Sequence, residues 1–145
     1  MYPPRLFASH GLEKQAEEGL ALRTYVWSMP ARIDHVAVET DDPQRAASFY
    51  ERVLGARVVK EEGHPTMVYL QVGAVAFHEP GGPGPHMAFR VSEEERAEIA
   101  RRLSQEGIEY EERDHEIAVG LFFEDPDGRR LEAITYRGAD DPRRP

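Results

Sequence analysis

The chain has 145 residues, 40% of them hydrophobic, enough for one domain with a real core and for folding rather than disorder. Its formal net charge of −9 opposes polyphosphates and anionic bilayers, so neither nucleic acid nor a membrane is expected as a partner. The lack of cysteine excludes thiol catalysis, zinc–thiolate sites and disulfides, and with no signal-peptide core or membrane-spanning apolar run the expected setting is soluble and cytoplasmic.

Residues 1–28 read as an N-terminal leader. Within Gly11–Thr24, Leu12, Ala16, Leu20 and Arg23 recur at near-helical spacing, which predicts a short helix packed on the body or on a neighbour. A second reading starts the natural chain at Met29 and makes the leader upstream coding sequence. The domain itself is expected over residues 29–138, followed by a polar tail at 139–145.

From Ile33 onward the pattern is regular. Ile33–Glu39 alternates and is rich in valine, a strand pattern. Thr40-Asp41-Asp42-Pro43 supplies a cap and a first-turn proline for a helix. Phe49, Val53 and Leu54 are its expected buried stripe, and Gly55 its stop. Strands are expected over Ala56–Glu61, Thr66–Val72 and Ala74–Glu79, and a Gly/Pro linker runs on to Pro85. The order then begins again. His86–Val91 is a strand, Ser92 and Glu95 form a capping box, and the helix they open runs to Glu106 and stops at Gly107. Ile108–Arg113, Ala118–Glu124 and Arg130–Tyr136 are the remaining strands, the last one preceded by the turn Asp125-Pro126-Asp127-Gly128.

This second pass is a repeat of the first. At an offset of 51 residues His35 meets His86, Ala37 meets Ala88, Arg45 meets Arg96 and Ala46 meets Ala97. The fold class is therefore α+β, built from two β-α-β-β-β modules at 33–79 and 86–136, each too small to fold well alone.

Side chains alternate across a strand, so His35, Ala37 and Glu39 share one face and His86, Ala88 and Arg90 another. Glu132 lies with Arg130, Ile134 and Tyr136. In each strand this is the face a helix would leave bare. With those faces lining one cleft, His35, His86 and Glu132 make a facial ligand set for Fe(II), Mn(II), Ni(II) or Zn(II), with positions left for substrate. Tyr69 and Gln71 alternate with Val68 and Leu70 and are candidate substrate contacts. Arg90 is a third, for an anionic group, with a salt bridge to Glu39 as the favoured alternative.

Ile33-Asp34-His35-Val36-Ala37-Val38, Ala47-Ser48-Phe49-Tyr50-Glu51-Arg52-Val53-Leu54-Gly55, His86-Met87-Ala88-Phe89-Arg90-Val91 and Phe122-Phe123-Glu124-Asp125-Pro126-Asp127-Gly128-Arg129-Arg130-Leu131-Glu132 together resemble the vicinal oxygen chelate superfamily. That superfamily includes glyoxalase I, bleomycin-resistance proteins, extradiol dioxygenases and fosfomycin-resistance proteins. The resemblance implies a half-open barrel around one divalent metal, a small-molecule substrate and a homodimer. It assigns His35, His86 and Glu132 as ligands, a triad that the binding-only members usually lack. Glyoxalase I and the epimerases add a fourth ligand, whose place here falls near Phe77, with His78 as a candidate one residue away. Ala37 and Phe122 stand where fosfomycin-type transferases carry a hydroxyl residue and a tyrosine. Dioxygenases also tend to have that tyrosine, and they place a histidine nearby that His115 resembles, a candidate acid or base. The expected function is extradiol-dioxygenase-like chemistry with Fe(II). A redox-neutral lyase, isomerase or thiol transferase and a metal-free binding protein are the alternatives.

Overall fold

The computed structural model describes residues 31–145. The helix expected in the leader, and the question of a start at Met29, lie outside them. In chain order the elements are β1 (Arg32–Glu39), α1 (Pro43–Leu54), β2 (Arg57–Val59), β3 (Thr66–Tyr69) and β4 (Ala74–His78), then β5 (His86–Arg90), α2 (Glu93–Glu106), β6 (Tyr110–Asp114), β7 (Ala118–Glu124) and β8 (Arg130–Tyr136).

Local chemistry explains their ends. The Asp42 carboxylate accepts from Arg45 N at 2.9 Å, and Gly55 closes α1 in the left-handed region at φ 64°. Ser92 and Glu95 cap α2 reciprocally, at 3.1 Å and 2.7 Å. β3 stops at Tyr69, three residues earlier than its apolar run suggests, because Leu70 N donates to Gly73 O and turns the chain. Gln71 and Val72 therefore sit in an exposed turn.

The strands form one sheet in the order β2-β3-β4-β1-β5-β8-β7-β6. β1 runs parallel to β4 and β5 parallel to β8, while the two modules join antiparallel through β1 and β5. The sheet curls without closing, giving the half-open barrel of paired β-α-β-β-β modules. Its central pairing contains a bulge between Ile33 and His35, where Asp34 is the extra residue opposite Phe89 and Ala88.

The helices cover the convex side. Ala47, Ala56, Val68 and Phe77 form the core beneath α1, and Val91, Leu103, Leu121 and Ala133 the core beneath α2. The stripe expected for α1 is corrected here: Phe49, Val53 and Leu54 are 53%, 59% and 58% exposed. Ala46, Ala47 and Tyr50 face the sheet instead, because small alanines let the helix lie close while the Tyr50 ring meets the edge of Phe77 at 5.3 Å. Between the two helices Ile33, Val36 and Met87 are exposed on β1 and β5. The concave side is floored by Ala37, Ala74, Ala76, Ala88 and Ala118, residues too small to fill it.

Leu121 is fully buried between β7 and α2 and points away from the concave side. Leu121→Ala is expected to cost about 2–5 kcal/mol by loss of burial and creation of a cavity, read as a lower urea midpoint.

Candidate metal centre

The register carries His35, His86 and Glu132 to one place. His35 pairs with Ala88 and Ala37 with His86 across the β1–β5 seam, so both imidazoles rise from the same face. Ala88 in turn pairs with Glu132 across β5 and β8. Glu132 Oε2 stands 3.2 Å from His86 Nε2 and 3.6 Å from His35 Nε2. One ligating atom from each residue lies within 4.8 Å of the others, and all three side chains are buried.

The ring nitrogens away from this centre are tied down. His35 Nδ1 lies 2.8 Å from Asp34 Oδ2, and His86 Nδ1 lies 2.7 Å from Gly84 O. Each imidazole donates from Nδ1 and turns Nε2 toward Glu132, where a neutral ring offers a cation its lone pair and a protonated ring donates to the carboxylate. Glu132 is 1% exposed, and its Oε1 lacks a well-directed hydrogen bond. Burial alone would raise the Glu132 pKa, but His115, His86 and His35 outweigh it and hold the carboxyl at about 2. A buried carboxylate with one orphaned oxygen, facing two imidazole Nε2 atoms, fits a divalent first-row cation.

His115 enters from the β6–β7 turn and brings Nε2 to 3.2 Å from Glu132 Oε1, its side chain one-third exposed. That turn is held open at a cost. Glu116 takes a left-handed φ of 67°, fixed by Asp114 Oδ1 accepting from its N–H and by Arg137 donating to its carbonyl. Across the centre, His78 ends β4 on the same concave face, its ring 6.3 Å from that of His86. Burial, then the neighbouring His86 and His35, pull its pKa down to about 4, so it is neutral at physiological pH. It lies outside the ligand cluster.

The place equivalent to Glu132 in the first module is also fixed by register. Ala88 pairs with Glu132, and its repeat counterpart Ala37 pairs with Ala76. Ala76, the residue next to Phe77, therefore holds the fourth position, and Phe77 itself turns to the other side beneath α1. Three candidate ligands and a methyl group surround the centre.

Three other candidates fall elsewhere. Arg90 does not meet Glu39: the bulge carries Asp34 to it, with Asp34 Oδ1 accepting at 2.9 Å and 2.6 Å, and Asp140 takes the remaining guanidinium nitrogen. Tyr69 is buried and donates to Asp141 at 2.6 Å. Gln71 lies in the exposed turn after β3. None of the three lines the cleft above the centre, which has a volume of about 1010 Å³. All the described histidines do line it, His64 included, with Met67 and Phe122 as apolar walls. The tail also contributes, since Arg143 reaches the cleft from beyond residue 138 while paired to Asp141 at 3.0 Å.

Asp34 and Gly120 are absent from the residues the sequence nominated. Strand alternation puts Asp34 opposite His35, and no sequence signal marks the bulge that reverses it. Gly120 did carry a signal, a lone glycine inside a strand. A Cβ there would overlap Glu132 Oε1 and come within 3.0 Å of His115 Nε2.

A two-module sheet cups a buried His-His-Glu centre that could hold a metal ion, and comparison with known proteins assigns the family. The family model for the glyoxalase/bleomycin resistance protein/dioxygenase superfamily matches residues 32–133, and the chain belongs to that superfamily. It is 26% identical over 111 residues to the glutathione transferase FosA of Serratia marcescens, covering 69% of this chain and 77% of that protein. Methylmalonyl-CoA epimerase from Mycobacterium tuberculosis shares the fold at TM-score 0.63 and 20% identity, over 85% of this chain and 96% of that one. So does 2,2',3-trihydroxybiphenyl 1,2-dioxygenase from Sphingomonas wittichii RW1, at TM-score 0.58 and 21% identity, over 77% of this chain but 43% of the dioxygenase.

Gly120→Ala is expected to leave the fold intact and to weaken divalent-metal binding about tenfold or more, by displacing the Glu132 carboxylate. Val119→Ala, on the other face of the same strand, should bind metal as the parent does. Calorimetric titration of both variants with Zn(II) checks this.

Proposed function

We propose that the chain is a divalent-metal-dependent enzyme whose small substrate binds the ion through its own vicinal oxygens, with ring-cleaving dioxygenase chemistry on Fe(II) as the reaction. One observation carries this reading: three ligands crowd one side of the centre, and the fourth position is Ala76, which opens onto the cleft.

His35, His86 and Glu132 would hold the ion. Iron bound there supplies a Lewis acid for the two substrate oxygens and a site at which dioxygen is activated. The protein's own residues do the rest. Ala76 and Ala118, the small residues of the cleft wall, leave room for a flat ring beside the centre, and Met67 and Phe122 give it apolar walls. His115, between Glu132 and solvent, accepts the proton a catechol hydroxyl loses on binding and passes it outward. Neutral His78, on the opposite wall, orients a substrate oxygen by hydrogen bonding. Dioxygen is the oxidant, and both its atoms end in the ring-opened product, so no external reductant is consumed.

The likeness to FosA supports a second reading, a redox-neutral transferase using the same three ligands. Against it stands Ala37, which puts no hydroxyl where the fosfomycin-type members carry one, while Phe122 departs from the transferase and dioxygenase patterns alike. Four-ligand isomerase chemistry loses support at Ala76. Among the described residues no helix is long and apolar enough to cross a membrane. A cytoplasmic homodimer completes the proposal, with Ile33, Val36 and Met87 as the apolar strip it would cover.

The rim of the cleft bears on substrate charge. Asp41, Glu61, Glu62, Glu79 and Glu116 stand there against Lys60, while Arg113 and Arg143 are already paired with Glu111 and Asp141. Neutral catechols should therefore outperform carboxylated ones.

The deciding measurement is the metal content of anaerobically purified protein beside Glu132→Ala. About one equivalent of iron, lost in the variant, and oxygen uptake with 4-methylcatechol exceeding that with protocatechuate are expected. Iron with no catechol turnover would remove the dioxygenase step. No binding of any first-row divalent ion would sink the metalloenzyme and leave a small-molecule-binding protein.

A further inference from the structure

We propose that Asp34 is the positioning residue of the metal centre: its carboxylate locks the His35 ring with the proton on Nδ1 and Nε2 turned inward, and the second module in turn locks Asp34. The inference rests on the metal reading of His35, His86 and Glu132, but its direct readout does not need the ion.

In regular alternation Asp34 would point to the convex side, away from His35. The bulge in β1 cancels that alternation and sets Asp34 on the concave side of its own neighbour. The side chain is 4% exposed there, and four donors surround it. Oδ2 accepts from His35 Nδ1 at 2.8 Å and from the Tyr136 hydroxyl at 2.8 Å. Oδ1 accepts from Arg90 Nε at 2.9 Å and from an Arg90 terminal nitrogen at 2.6 Å. An ionised carboxylate can only accept, so His35 must donate from Nδ1 and Tyr136 must donate its hydroxyl. That fixes the tautomer of the neutral ring, and Nε2 is the atom facing Glu132 at 3.6 Å.

The two histidines are therefore held in different ways. His86 donates to the Gly84 carbonyl, a backbone group of the linker two residues before it. His35 depends on a side chain whose other partners, Arg90 and Tyr136, come from β5 and β8 of the second module. The orientation of one ligand is thus tied to the docking of the two halves, whereas the orientation of the other is local. Arg90, placed on the cleft by sequence alternation, serves this support and not the substrate.

The test uses Asp34→Asn in the full chain. The amide nearly preserves volume, but it must present either an acceptor to Arg90 or a donor to His35 and can no longer accept from all four groups. Nitrogen-15 NMR of the metal-free parent should show both His35 and His86 in the Nδ1–H form. In Asp34→Asn the His35 signals should shift to the Nε2–H form or to a mixture, with His86 unchanged. Zn(II) affinity should fall by roughly 10–100-fold, the usual cost of losing a partner behind a ligand histidine. Tyr136→Phe removes one of the four donors and should lower affinity less, with the tautomer retained. This second variant also keeps the test open if Asp34→Asn folds poorly.

An Nε2–H tautomer for His35 in the parent would overturn the proposal, as would unchanged affinity and tautomer in a folded Asp34→Asn. A parent that binds no metal but shows the expected tautomers, and loses them only at His35 in the variant, would count against the proposed function while leaving Asp34's hold on the ring intact.

Discussion

The antiparallel pairing of β1 with β5 is the constraint on which the rest of the molecule depends, because it alone joins the two modules by backbone hydrogen bonds. Each module brings one histidine to that seam. A slip of one residue would turn either His35 or His86 to the convex side, since side chains alternate with period two. The bulge at Asp34 and the buried Arg90–Asp34–Tyr136 contacts pin the register where it matters. One feature thus sets the pairing, places a ligand and braces it.

What the seam assembles is electrostatically demanding. Glu132 is almost wholly buried, and desolvating a carboxylate costs several kcal/mol unless charge or hydrogen bonds offset it. His115, His86 and His35 do so from the β6–β7 turn, the start of β5 and the middle of β1, keeping the group ionised. Hydrophobic contacts hold the sheet to its helices on the convex side, and they leave the concave side free for this polar cluster. The alanines of the concave floor and Gly120 are part of the same arrangement. Larger side chains there would add apolar burial but fill the space the carboxylate and any ligand of the ion require.

Much of this was legible in the sequence because it is local or periodic. Caps at Asp42 and Ser92, stops at Gly55 and Gly107 and the repeat of the His35 and His86 phrases all report on the chain within a few residues. β7 and β8 have the limits their alternation predicts. The misreadings share one cause, the dependence of a side chain's direction on a distant partner. Phe49, Val53 and Leu54 look like a buried stripe, yet Ala46, Ala47 and Tyr50 fit the sheet more closely. Arg90 alternates onto the ligand face, yet a bulge in another strand supplies its partner. Tyr69 is claimed by Asp141 from the tail, a contact across 72 residues that no periodicity encodes.

The near-symmetry of the two modules sharpens the chemical argument. Twofold repetition of a strand, helix and three strands would give four equivalent ligand places, two on the first strands and two on the last. His35 and His86 fill the first pair, while Glu132 and Ala76 divide the second unequally. A fully symmetric set would surround the ion on both sides and leave less room for a chelating substrate. Replacing one carboxylate by a methyl group removes a ligand and a negative charge from the same side, the side where the floor is lowest and the cleft is open. Neutral His78 and Met67 border that opening, and His115 stands across from them beside Glu132. The asymmetry therefore separates the labour of the two modules: the second supplies the charge and two of the three candidate ligands, and the first, apart from His35, supplies the open side of the cleft.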